Sequence, residues 1–392
     1  MKTNIKCLLL LVFLPFAGYS QASLDSILTA VKASNKILIA SRLQMEAEMH
    51  AAGAGLYLPD PEVQFDYLWG DPADFGNRTD FGITQSFSFP SVYVQKSNQS
   101  GLVKTGASLK YLQREREVLF RAKSDWISIV GINKLLSMLE HRITLADEIA
   151  QNAKLQLSRG EINLIRYHHA QMEFVDLKME RNELEVQRNT LQGQLTQLCG
   201  GKSIPVTDTA FPALSSFPMK EIMESYAGTP AVKSLENDVN VRQVDKNIAV
   251  SEWLPKFKAG YYSEVVTGLR YQGIQTGISI PLWQNINSVK TAGNQVKVAE
   301  AELDQLKSME TTRIAALASK RDKLAGQVQE IRAALLPVND VSLLKKALDA
   351  GEINISEFYY ECFVFYSAWA NLLKAEKELA LTEAELMFVA GR

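Results

Sequence analysis

Glu357 and Glu361 stand four residues apart, the spacing that puts two side chains on one helix face, where like charges cost about a few tenths of a kcal/mol. Two readings stay open for them: an ordinary solvated face, or, in a threefold assembly, two stacked acidic rings that attract cations and slow anions. His168-His169 with Met172 and Glu173 has the composition of a soft-metal site. Adjacent helical residues point about 100° apart, however, so the two imidazoles do not converge on one ion and ordinary helix residues are the better reading. Met45, Met49 and His50 share a helical spacing that signals packing. Gly53 and Gly55 precede a strand and offer no phosphate cradle. The chain has no Gly-x-Ser-x-Gly, no Cys-x-x-Cys and no His-Glu-x-x-His, so neither an enzyme nor a cofactor or metal centre is expected.

The elements that position these residues come in two copies. The tetrad Gly160-Glu161-Ile162-Asn163, preceded by Arg159, returns as Gly351-Glu352-Ile353-Asn354. The same step superposes Phe87-Ser88-Phe89-Pro90 on Ile278-Ser279-Ile280-Pro281, Gly82 on Gly273, and Gly200 on Gly391. A shared register over that distance describes one supersecondary unit used twice. The first copy spans 23–218 and the second 219–392.

Composition narrows the class. With 46% hydrophobic and 9% aromatic residues and a formal charge of −2, the chain is neither disordered nor a binder of nucleic acid. Lys2 and Lys6 precede an apolar run, and Ser20-Gln21-Ala22 offers a cleavage site, so residues 1–22 are expected to be a signal peptide. Cys7 lacks a lipoprotein lead-in. The rest of the chain has no apolar stretch near the roughly 20 residues of a membrane helix, so any membrane crossing falls to strands. Cys199 and Cys362 lie 39 and 11 residues past their tetrad glycines, about 40 Å apart in height on helices, and are expected to be buried and unpaired.

Each copy reads as a leading helix, a β-hairpin (about 62–89 and 256–280), a long helix (91–158 and 282–350) and a return helix (162–199 and 353–390). Residues 200–218 read as a linker, and Pro337 is expected to kink or break the second long helix. Val63, Phe65, Tyr67 and Trp69 alternate with mostly polar neighbours, as do Phe81, Ile83, Phe87 and Phe89 with Gly82, Thr84, Ser86 and Ser88. Tyr67, Trp69, Phe81 and Tyr271 toward the turns, and Phe87 and Phe89 toward the helices, fit two aromatic girdles. From Pro90 to Gly160 and from Pro281 to Gly351 the chain covers about 70 residues, or about 100 Å as helix. Four strands with an apolar face cannot close a barrel alone. Two copies supply eight strands and three supply twelve; twelve is preferred because a barrel of about eight is filled by its own side chains.

These features resemble the TolC family of outer-membrane efflux proteins over nearly the whole mature length: the duplicated order, the proline closing each hairpin, and tips with Gly160 and Asn163, or Gly351 and Asn354, three apart. The resemblance implies a mainly α fold with a small β part, assembled as a homotrimer with a 12-stranded outer-membrane barrel and a periplasmic helical tunnel. It implies an exit duct of a tripartite efflux system, with a periplasmic adaptor, an inner-membrane pump of the RND type and outer-membrane lipid as partners. The tips at 159–163 and 351–354 would dock the adaptor, with Arg166, Glu357 and Glu361 at the entrance. The family often carries an acid six places after the tip glycine; Arg166 departs from this and Glu357 keeps it, which allows an ion pair between them on neighbouring helices. A periplasmic adaptor would instead have one central helical hairpin flanked by polar β domains, and a structural coiled coil would lack the apolar strands.

Overall fold

The computed structural model describes residues 24–211, 218–335 and 341–391. The leader expected over 1–22 lies outside them. In chain order the elements are α1 (Leu24–Ser34), α2 (Lys36–Ala54), β1 (Glu62–Leu68), β2 (Arg78–Phe87), α3 (Pro90–Ser158), α4 (Leu164–Leu198), α5 (Met219–Ala227), α6 (Pro230–Ser251), β3 (Lys256–Val266), β4 (Leu269–Ser279), α7 (Ser288–Leu335), α8 (Ser342–Asp349) and α9 (Ile355–Ala390). They fall into two compact units, one holding described residues of 24–33, 122–211 and 341–377, the other those of 34–121, 218–335 and 378–391.

Glycines at matching register positions share a backbone conformation. Gly160 and Gly351 both have φ +73°, and their counterparts Gly200 and Gly391 are also left-handed, at +70° and +86°. Each ends a helix in the conformation that costs glycine least.

Three expected helices begin or end elsewhere. Both leading helices are broken in two. Asn35 caps α2 by accepting from the amides of Ile37 and Leu38, and Gly228-Thr229-Pro230 closes α5 and starts α6, with Thr229 as cap and Pro230 in the first turn. The second long helix begins at Ser288 rather than 282, because two consecutive turns (Ile286 N–H to Trp283 O, Ser288 N–H to Asn285 O) and a left-handed Asn287 at φ +65° occupy 283–288. It runs as α7 and then α8; Pro337, the expected break, lies outside the described residues.

The expected linker is fastened where it is described. Val206 is buried, Gln192 brackets it by donating to Ile204 O and accepting from Val206 N, and Asn133 donates to Val206 O and Asp208 O. Trp126 closes the contact by donating to Asp208 at 3.1 Å.

The strands form one antiparallel sheet in the order β1-β2-β3-β4. Register puts Asp66, Asp80, Glu264 and Tyr271 in one cross-strand row, and Val63, Ile83, Tyr261 and Ile274 in another on the opposite face. Tyr271 therefore belongs to the polar face, not to an apolar girdle: the two-residue Thr267-Gly268 turn pairs it with Glu264.

Candidate functional site

The two tips share one construction. After α3, Glu161 N–H reaches Gln156 O at 2.9 Å and Gly160 N–H reaches Leu157 O at 3.0 Å; after α8, Glu352 and Gly351 repeat both bonds to Ala347 O and Leu348 O. This double closure needs a left-handed residue at the glycine, which explains the tetrad's first position. Its last position caps the next helix. Asn163 accepts from Arg166 N–H, and Asn354 from Ser356 and Glu357 N–H. Ile162 and Ile353 between them pack partly buried against the core of Phe358, Ala170 and Tyr366.

The tips differ at the expected gate residues. The Glu357 carboxylate accepts from Asn354 N–H at 2.9 Å and completes a capping box. Arg166 holds the corresponding place in α4 and has no acceptor to offer. Arg166 and Glu357 do not pair within the chain; both are exposed, and Glu357 is engaged by its own helix end. Glu361 is also exposed, one turn beyond Glu357. Asn354→Ala is expected to lower the stability of the unit by about 1–2 kcal/mol in denaturant titration, and Asn163→Ala by less, since only the former dismantles a two-way box.

The core behind the tips is chemically quiet. Burial pushes the Cys362 thiol up to about 12, and it also raises the Tyr359 hydroxyl, which is buried without a hydrogen-bond partner. Cys362 and Cys199 are both buried, and neither is in a disulfide. Among the described residues no group of three or more His, Cys, Asp or Glu could hold a metal ion.

Helix α4 carries a feature that reasoning from the sequence missed. Its inner seam, Tyr167, Ala170, Phe174, Leu177 and Leu184, packs against Leu139, Ile143, Ala146 and other α3 residues. A second seam two residues out of phase, Ile165, His168, Met172, Val175, Met179 and Val186, is exposed along its length, with Ile165 67% exposed. Its heptad spacing was the available signal, masked by His168 and Asn182 at core positions.

Strand β2 is inverted relative to one in a soluble sheet. Along β2, Asp80, Gly82 and Thr84 are buried while Phe81 and Ile83 are exposed. On the opposite edge strand Ile274 is 87% exposed. On the polar face a Cβ built at Gly260 would lie 2.3 Å from Ile83 O and 2.9 Å from Thr84 Cα, so the strands approach too closely there for any side chain. Within it Arg78 donates to Asp80 at 2.9 Å and pairs with Glu264 at 3.1 Å, and it also donates to the Tyr262 hydroxyl. No helix among the described residues is long and apolar enough to cross a membrane.

Neither a family model nor a curated protein matches the sequence. Solved structures do match the fold. A membrane protein from Pseudomonas aeruginosa superposes with a TM-score of 0.81 at 12% identity, covering 94% of this chain and 90% of that one. The CmeC outer membrane channel of Campylobacter jejuni gives 0.79 at 13% identity over 94% and 85% of the two chains. The MtrE outer membrane channel of Neisseria gonorrhoeae, in its open state, gives 0.75 at 11% identity over 94% and 88%. The chain thus has the fold of these outer-membrane channels, with long helices and a four-stranded antiparallel sheet.

Proposed function

We propose that this chain is a TolC-family subunit of a passive outer-membrane exit duct, a homotrimer that conducts small molecules or ions delivered by a periplasmic adaptor and an inner-membrane pump. The observation that carries the reading is the inverted pattern of β2: buried polar positions alternating with exposed apolar ones suit a strand with lipid outside and water inside. Four strands leave two open edges, which hydrocarbon does not tolerate. Three copies joined edge to edge supply twelve strands and remove every edge.

The two seams of α4 support the same stoichiometry. Seams two residues out of phase are separated by about 206° on a 3.5-residue turn, or about 154° the other way. In a closed ring of about twelve helices each one meets its neighbours at about 150°, so a bifaceted helix of this kind suits a tunnel wall. Three copies with four helices at each level supply that number. The tips at Arg159 to Asn163 and Gly351 to Asn354 are the adaptor contacts in this reading, and Arg166, Glu357 and Glu361 line the entrance.

Reconstitution into a planar bilayer tests the proposal. The trimer is expected to give a cation-selective conductance, read from the reversal potential in a KCl gradient. Neutralising the entrance with Glu357→Gln and Glu361→Gln is expected to move that potential toward zero, and Gln at 357 keeps an acceptor for the cap. Membranes that stay electrically silent with the purified, trimeric protein would sink the reading.

A further inference from the structure

The stretch Pro281 to Asn287 behaves unlike its counterpart in the first copy. There, Pro90 starts α3 directly, Val92 is buried, and the Tyr93 hydroxyl accepts from Ser88 N–H. In the second copy the chain instead makes two tight turns and begins its helix only at Ser288. Those turns are fixed in place: Asn285 donates its side-chain amide to Glu252 O at 2.6 Å, and Ser288 Oγ donates back to Asn285 O at 2.8 Å. A loop so well tied has its side chains directed by its backbone, and it directs Leu282, Trp283 and Ile286 outward. Trp283 is 76% exposed, and the other two are more than half exposed.

We propose that this loop is an interfacial anchor, seated in the headgroup and upper acyl region of a phospholipid leaflet at the helical edge of the sheet. The inference rests on the membrane reading of that sheet. Three observations commit the loop to lipid. It continues without a break from β4, whose outward residues Ile274 and Ile278 are followed by the exposed Ile280. Trp253 and Leu254, both exposed, precede β3 on the same edge, since Lys256 pairs with Ser279. Exposed Lys290 follows the loop in the first turn of α7 and suits phosphate groups. Tryptophan beside lysine at a strand's watery end is the arrangement that headgroups favour, because the indole keeps one end wet and one end apolar. The anchor would fix how deeply the sheet sits, a task the polar Asn285 and Asn287 do not share with the apolar residues around them.

Tryptophan fluorescence of the full chain in phosphatidylethanolamine–phosphatidylglycerol vesicles tests this, comparing wild type with Trp283→Phe so that the difference reports residue 283 alone. Brominated acyl chains are expected to quench that difference signal about twofold, while acrylamide in the buffer leaves it nearly unchanged. Quenching by acrylamide and not by bromine overturns the anchor, and shielding from both means that protein covers the loop, which overturns it too. A variant with Ile274→Trp serves as reference. If bromine quenches residue 274 but not 283, the membrane reading stands and the anchor falls; if it quenches neither, both fall together.

Discussion

Ile274→Arg is expected to abolish stable membrane assembly, while the same replacement one residue on, at Gln275, leaves it intact. Ile274 lies midway along β4 in the row of Val63, Ile83 and Tyr261, so in the proposed barrel it meets the middle of the hydrocarbon. An arginine on the lipid face at that depth costs about 2–4 kcal/mol, and threefold symmetry repeats it, for about 6–12 kcal/mol per assembly. Gln275 points to the polar side, beside Gly260 and Thr84, where a cation meets water. The check is sodium dodecyl sulfate electrophoresis of unheated membrane extracts, scoring trimer against monomer. Equal yields of trimer for both variants would mean that the exposed apolar face does not meet lipid.

The second large effect is expected in α4. Met172→Glu combined with Met179→Glu should leave each chain folded, because both side chains are already exposed, yet prevent three chains from associating. Burying one such side chain contributes about 1.5–3 kcal/mol, so the six in the proposed trimer would account for about 9–18 kcal/mol. Leu177→Ala on the inner seam should do the reverse kind of damage, lowering the stability of the chain itself by about 2–5 kcal/mol, since Leu177 is buried against Leu139, Ile143 and Ala146. Circular dichroism with analytical ultracentrifugation in detergent separates the two outcomes. A trimeric double-glutamate variant would show that the open seam is merely solvated.

How much of this is legible in the sequence depends on the periodicity involved. The strands are readable because their two-residue alternation is strong from Val63 to Trp69 and from Phe81 to Phe89, and the tips because a glycine forced left-handed appears twice in one register. The break at Gly228-Thr229-Pro230 is equally explicit in residue types, but the apolar spacing on either side continues through it and hides it. The capping role of Glu357 follows from an Asn with Glu three residues later, a local pattern that charge-based reasoning about an entrance passes over. The loop at 281–287 is hidden for a different reason. Pro281 matches Pro90 in register, and only the turn-forming Asn285 and the left-handed Asn287 make the two copies diverge after it.

The unequal hairpins have a practical meaning. β3 and β4 are joined by Thr267 and Gly268 alone, both left-handed, at φ 46° and 87°, so an added residue there shifts the register and exchanges the faces of a whole strand. β1 and β2 are joined by residues 69–77, a connector with its own short 3-10 turn at Ala73–Phe75 and an exposed Phe75. An epitope tag or a fluorophore-accepting peptide therefore belongs in the first connector, where length is not coupled to pairing. In the proposed trimer each particle would display three copies of the label, which makes the site a handle for counting subunits in single particles.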